Sequence, residues 1–226
     1  MAMPARKAAE APLRRAEKKE ATRQQLIAAT VEEISAGGLA DLTLSKISQR
    51  AQVSRGLVNF HFQSKEQLLV ETLRHLTVEY REFWHKAIEP HKEPVARMLA
   101  LIRADFHPKV CNRKKIAVFY AFWGEAKARP TYMEVSAKAD GEFANTVVDL
   151  CARITGEGGY AIDPAVAAKG LRCMIDGLWL ELLLSPQQFD RDVAMGMCVR
   201  YLAGIFPRHF AGDELPGRQS SAAANR

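Results

Sequence analysis

The 226-residue sequence predicts an all-α protein, a small N-terminal helical domain followed by a larger helical one, and three observations carry that prediction. Apolar residues recur at helical spacing along nearly the whole chain. Proline and glycine punctuate it at Gly37-Gly38, Pro90, Pro94, Pro108, Pro130, Gly156 to Gly159, Pro164, Pro186 and Pro207. No stretch of alternating apolar residues bounded by turns reads as a strand.

Residues 1–16, rich in Ala, Pro, Arg and Lys without apolar periodicity, read as a flexible basic arm. A first helix follows, with Leu26, Ile27, Thr30, Val31 and Ile34 on one face and Gly37-Gly38 as its left-handed end. Thr43 is placed to cap a short second helix, whose Leu44, Ile47 and Ala51 face inward, and Lys46 stands where a capping box would have Glu. The chain turns at Gln52-Val53. Ser54 caps a third helix, with Leu57 and Val58 on its buried side.

A long helix is expected over 64–88, with Leu69, Leu73, Leu76, Tyr80, Phe83, Trp84 and Ala87 in one stripe. Further helices are expected at about 95–106, 115–128, 131–154, 165–184 and 191–206, with Gly156 to Gly159 a connection and 211–226 a disordered tail. This divides the chain into an arm (1–16), a helix-turn-helix domain (17–63), a ligand-binding and dimerisation domain (64–210) with linking helix 64–88, and the tail.

Composition narrows the function classes. No apolar run reaches the length of a bilayer span and no signal-like core opens the chain, so a soluble cytoplasmic protein is expected. Cys111, Cys151, Cys173 and Cys198 form no CxxC pair, so no metal site or disulfide framework is indicated. Hydrolase, zinc-protease and phosphate-loop motifs are missing, and neither enzymatic activity nor a cofactor is expected. The formal charge is +6, and residues 1–60 hold ten Lys/Arg against six Asp/Glu, a surplus suited to a polyanion such as DNA.

The segment Arg55 to Phe62 is about two helical turns, too short to be stable alone. A short helix held on an apolar underside, preceded by another across a tight turn, is the helix-turn-helix that enters the DNA major groove. Arg55, Asn59, Phe60 and His61 are left for base edges and sugars, with Gly56 and Leu57 on the same short helix and Ser54 as its cap. Thr43, Lys46 and Lys65 lie near helix starts and suit phosphate oxygens. Arg14, Arg15, Lys18 and Lys19 of the arm add sequence-independent attraction.

The stretch Thr43 to Leu69, with Val53, Ser54, Gly56, Phe62 and Lys65 at their positions, resembles the N-terminal signature of the TetR family of transcriptional regulators. That resemblance implies a three-helix DNA-binding domain, a long fourth helix, a ligand domain and a homodimer on double-stranded operator DNA. The family usually has Gly where Gln52 stands and often Tyr where Asn59 stands. A left-handed backbone at Gln52 costs roughly 1–2 kcal/mol.

In the second domain, "GLRCMIDGLWLELLLSP" is apolar nearly all round and predicts a covered helix, with helices 131–154 and 165–184 of two protomers in a four-helix bundle. "KIAVFYAFWGEAKARPTY" (Lys115 to Tyr132) and "MIDGLWL" (Met174 to Leu180) resemble the ligand domain of BetI-type repressors of the choline to glycine betaine pathway. The resemblance implies choline or a pathway relative as inducer. A quaternary ammonium ion is held by aromatic faces, and a nearby carboxylate can add charge balance. Phe119, Phe122 and Trp123 share one helix face, Trp84, Tyr120, Tyr132 and Trp179 are further aromatic candidates, and Asp176 and Glu181 are the candidate carboxylates, with Trp123 and Asp176 foremost. The alternative is a regulator of the same type that responds to an unrelated apolar or aromatic ligand.

Overall fold

The computed structural model describes residues 5–125 and 127–210, with side chains from Arg14 onward. Among the described residues there are nine helices and no strand: α1 (Ala5–Gly37), α2 (Leu44–Arg50), α3 (Arg55–His61), α4 (Lys65–Ile88), α5 (Pro94–Asp105), α6 (Arg113–Glu125), α7 (Pro130–Gly158), α8 (Pro164–Leu184) and α9 (Arg191–Ile205). The tail expected over 211–226 lies outside the described residues. So do residues 1–4 of the arm.

Three differences from the sequence expectations have local causes. Helix α1 starts at Ala5, so residues 5–16 are helical rather than a flexible arm. Apart from Pro12 these residues are Ala, Arg, Lys, Glu and Leu, all strong helix formers. Helix α7 runs through Gly156, and the Gly-rich run forms its last turn and cap instead of a separate connection. Gly159, at φ +59°, supplies the left-handed residue, and Tyr160 N–H bonds Thr155 O at 3.1 Å. Helices α5, α7 and α8 begin at Pro94, Pro130 and Pro164 themselves, because a first-turn residue needs no N–H.

The chain divides into two compact units, one holding the residues up to His75 together with Ala117–Tyr132, the other holding Leu76–Ile116 and the residues from Met133 on. The first unit extends past residue 63 for identifiable reasons. Arg23 of α1 pairs with Glu71 of α4, while Glu66 of α4 accepts from Arg129 at 2.6 Å and from the Tyr132 hydroxyl at 3.2 Å.

Within the first unit, Leu26, Ile27 and Ile34 of α1, Ile47 of α2 and Val58 of α3 are buried at 2% exposure or less. Gln25 Nε2 donates to Ala51 O at 2.6 Å, satisfying a carbonyl at the end of α2. Thr43 Oγ1 accepts from Lys46 N–H and Ser54 Oγ from Leu57 N–H, each at 3.2 Å, so both short helices are capped by side chains. The turn between them is a Schellman arrangement, with Val53 N–H on Ser48 O at 3.0 Å and Gln52 N–H on Gln49 O at 3.1 Å. Gln52 sits at φ +53°, the only non-glycine with positive φ among the described residues.

Gln52→Gly is therefore expected to stabilise the protein. Relief of left-handed strain, roughly 1–2 kcal/mol, outweighs the added unfolded-state entropy of glycine, roughly 0.5–1 kcal/mol. A rise of about 0.5–1 kcal/mol in the free energy from urea denaturation is expected.

Candidate DNA-binding face and ligand site

The caps leave one face of the helix-turn-helix open. Arg55, Gly56, Asn59 and Phe60 are exposed, Leu57 and His61 are partly covered, and Val58 anchors the helix from below. Phe60 is 68% exposed, an unusual state for a phenylalanine, and Lys19 Nζ stands 5.5 Å from its ring centroid. A ring presented in this way suits sugars and thymine methyl groups. Gly56 is not demanded by packing: a Cβ there would meet nothing nearer than Ser54 Oγ at 3.8 Å. An open glycine on an exposed helix fits the close approach of an external partner.

Basic groups surround this face. Arg14, Arg15, Lys18, Lys19 and Lys46 are exposed, and Lys65 is half-buried at the first residue of α4. Lys65 also lines a cavity of about 140 Å³ with Leu39, Ala40, Leu69, Glu125, Arg129 and Tyr132. Thr43 and Ser54 use their oxygens as cap acceptors, so each hydroxyl keeps its proton to donate. Burial, reinforced by the Lys19 and Arg23 cations, holds the His61 pKa below 6.5 and leaves the imidazole mainly neutral at pH 7.

Of the residues the sequence singled out for the ligand, Phe119, Tyr120, Phe122, Trp123 and Tyr132 all belong to the first unit. Phe122 and Tyr132 meet edge to face at 4.9 Å, and Trp123 lies 6.1 Å from Phe119 and 5.0 Å from Tyr120. Burial, followed by the Glu66 charge, raises the Tyr132 pKa to about 12. Glu181 is exposed on α8.

Trp84, Trp179 and Asp176 belong to the second unit, where a tighter cluster forms around a residue that the sequence reading missed. Asp105, the last residue of α5, is completely buried. The Tyr80 hydroxyl donates to its Oδ1 at 2.5 Å, and Trp179 Nε1 donates to its main-chain oxygen at 3.2 Å. Tyr80 touches Trp179 edge to face at 5.8 Å and Phe143 at 5.9 Å, and Phe143 meets Trp84 at 5.7 Å. Asp105 Oδ2 and Trp84 Nε1 are buried without a hydrogen-bond partner among the described residues.

Burial raises the Asp105 pKa from 3.8 to about 7, against the opposing Tyr80 hydrogen bond and Arg172 charge. With a folded pKa above the unfolded one, this group opposes folding increasingly as pH rises from about 4 to about 7. Asp176 is engaged differently. Its carboxylate faces Arg172 one turn before it on α8, at 2.9 Å, and the same guanidinium reaches Asp140 at 3.6 Å and lies 5.1 Å from the Phe143 ring. A signal for Asp105 was present in the sequence: Met98, Leu101, Ile102 and Asp105 follow the spacing of a buried helix stripe.

Comparison with known proteins agrees at both ends of the chain. Residues 26–72 match the model of the bacterial regulatory proteins of the tetR family, and residues 94–207 match the BetI-type transcriptional repressor C-terminal domain. The chain belongs to the TetR family. It is a BetI-like DNA-binding transcriptional repressor, not an enzyme. The HTH-type transcriptional regulator BetI of Paraburkholderia phymatum is 32% identical over 196 residues, covering 81% of this chain and 92% of that protein. The crystal structure of a transcriptional regulator from Pseudomonas aeruginosa PAO1 superposes with a TM-score of 0.74 at 27% identity, over 84% of this chain and 92% of that one. A regulator from Saccharomonospora viridis, solved in complex with choline, has the same fold: its TM-score is 0.72 at 18% identity, over 81% of this chain and 96% of that one. Among the described residues, no helix of this TetR-family protein is long and apolar enough to cross a membrane.

Two substitutions test the expected division of this face into specifying and positioning groups. Arg55→Ala is expected to weaken binding to the preferred site by roughly 1–3 kcal/mol and to relax preference at one base pair. Lys65→Ala is expected to weaken all sequences about equally. Titrating both variants against a panel of singly altered sites tests this, and a uniform loss in both would refute the division.

Proposed function

We propose that this repressor acts as a homodimer on an operator of the choline to glycine betaine pathway and leaves it when choline, or a related quaternary ammonium compound, binds the second unit. The observation that carries the ligand is the convergence of Tyr80, Trp84, Phe143 and Trp179 in one buried cluster, with ring centroids 5.7–5.9 Å apart. A permanently charged ammonium without N–H groups gains nothing from hydrogen bonding and is attracted by the faces of such rings. The buried Trp84 N–H has no acceptor among the described residues and suits the oxygen at the other end of a choline-like molecule. The BetI relatives and the choline complex of a protein with the same fold support this reading.

Coupling to DNA runs through α4. Tyr80 and Trp84 lie on its second half, in the second unit, and Lys65 begins its first half, in the first unit. A ligand that repacks the rings around Tyr80 and Trp84 acts on a helix whose other end belongs to the DNA-binding unit. A coupling of about 1–3 kcal/mol, roughly 5- to 150-fold in operator affinity, is ordinary for such a device.

Self-association is supported by apolar groups left in water on α8 and α9. Val166, Leu180 and Leu184 of α8 and Val193 and Met197 of α9 are exposed, Leu184 at 71%. These positions favour a bundle of α8 and α9 from two protomers, in place of the pairing through the 131–154 and 165–184 helices read from the sequence. The operator of a dimeric helix-turn-helix protein is expected to carry two half-sites about 34–36 Å apart, one turn of the duplex.

Two measurements test the proposal. Calorimetric titration with choline and with its neutral isostere 3,3-dimethylbutan-1-ol is expected to show binding of choline alone, together with release of operator DNA. Equal binding of both would favour an apolar-ligand regulator. Leu180→Glu combined with Leu184→Glu is expected to yield a folded monomer with weakened operator binding, read by sedimentation and circular dichroism. A variant that stays dimeric would exclude the α8–α9 face.

A further inference from the structure

Asp105 presents a problem that no described group of the protein solves. When ionised, its Oδ2 is a buried charge without a hydrogen bond. When protonated on Oδ2, the carboxyl carries a buried O–H donor with no acceptor among the described residues. Either state carries a desolvation cost that a polar or charged partner would remove. Tyr80 and Trp179 direct their polar groups to Oδ1 and to the main-chain oxygen, not to Oδ2, and their rings, in contact with Phe143 and through it with Trp84, are the kind of wall a quaternary ammonium ion requires.

Resting on the reading of a quaternary ammonium inducer given above, we propose that the Asp105 carboxylate is the counter-charge of the bound cation, and that inducer and proton compete for it. Asp176 is the less suitable carboxylate, since Arg172 already balances it and lies between it and Asp140. Choline has no titrating ammonium proton, so it cannot itself account for a pH dependence near neutrality. The competition has a definite sign: lowering the pH protonates Asp105 and expels the cation, and binding the cation at low pH releases a proton.

Several titratable and charged groups face Asp105 from neighbouring elements. Tyr80 of α4 is pushed far above its ordinary value by burial and stays a neutral donor. Cys111, in the α5–α6 connection, and Cys198 of α9 are each raised to about 12 by burial and stay neutral thiols. Arg172 of α8 stays cationic. Asp140 of α7 is raised by burial and is the other carboxyl able to titrate in the same direction, so it needs its own control. Asp176 of α8 is paired with Arg172 and provides the second control.

The test is calorimetric titration of the full chain with choline between pH 6 and pH 8, in two buffers of different ionisation enthalpy. For a group with a pKa near 7, affinity is expected to fall about tenfold from pH 8 to pH 6, with nearly one proton released per choline bound at pH 6. Asp105→Asn is expected to lose at least about tenfold in affinity at pH 8 and to show a flat pH profile, while Asp140→Asn and Asp176→Asn keep the wild-type slope. Should Asp105→Asn fail to fold by circular dichroism, Tyr80→Phe serves instead. Loss of its hydroxyl bond destabilises the carboxylate and is expected to move the midpoint of the profile to higher pH.

An Asp105→Asn protein that binds choline with wild-type affinity and slope overturns the assignment while leaving the inducer intact, as does an unmoved midpoint in Tyr80→Phe. A slope abolished by Asp140→Asn or Asp176→Asn transfers the role to that residue and also overturns it. No choline binding by the wild type removes both the inducer and its counter-charge. A merely structural Asp105 would change stability and leave the slope alone.

Discussion

A carboxyl group sealed from water where α4, α5 and α8 meet is the constraint on which the second unit depends. Moving an ionisable side chain out of water costs several kcal/mol unless its neighbours compensate. Here the compensation is partial: one hydroxyl from Tyr80 for Oδ1 and one indole N–H from Trp179 for the main-chain oxygen. Those two bonds tie the three helices at one point. They also orient the two rings, because Tyr80 and Trp179 must present their polar edges to Asp105 and their carbon faces to other neighbours.

The first unit obeys a different economy. Its two short helices, seven residues each, have no stability of their own and are held by packing, α2 on α1 and α3 on α2. Burial of Ile47 and Val58 supplies the packing, while Thr43, Ser54 and Gln25 satisfy the backbone groups that short helices expose. With the interior and the caps accounted for, Arg55, Asn59 and Phe60 are left on the exposed face. The same logic explains the tolerance of Gln52 in a left-handed turn: the surrounding bonds over-determine the conformation, so a non-glycine residue is carried at a local cost.

The two units share α4, whose residues up to His75 belong to one and whose residues from Leu76 belong to the other. One side of that helix meets α1 through the Arg23–Glu71 ion pair, and further along it Tyr80 holds the buried acid. A repressor needs its ligand chemistry and its DNA chemistry linked by an element that takes part in both. The family relationship is drawn separately from residues 26–72 and 94–207.

The helical class, the order of the elements and the helix-turn-helix were legible in the sequence, because 3.6-residue periodicity, prolines and caps act over a few residues. The strained turn was legible too, as a glutamine where glycine is usual. The extension of α1 to Ala5 was missed because a polar Ala-rich run has helix propensity without periodicity. For the ligand, the sequence singled out the aromatics Trp84, Phe119, Tyr120, Phe122, Trp123, Tyr132 and Trp179 and the carboxylates Asp176 and Glu181, with Trp123 and Asp176 foremost because they stand in conspicuous local runs. Only the tertiary structure decided that Trp84 and Trp179 gather with Tyr80 and Phe143, that Asp176 is neutralised by Arg172, and that Asp105 is the acid among the rings. The reason is physical: helical periodicity tells which side of a helix is buried, but whether a buried polar atom finds a partner depends on helices that meet it from 25 to 74 residues away.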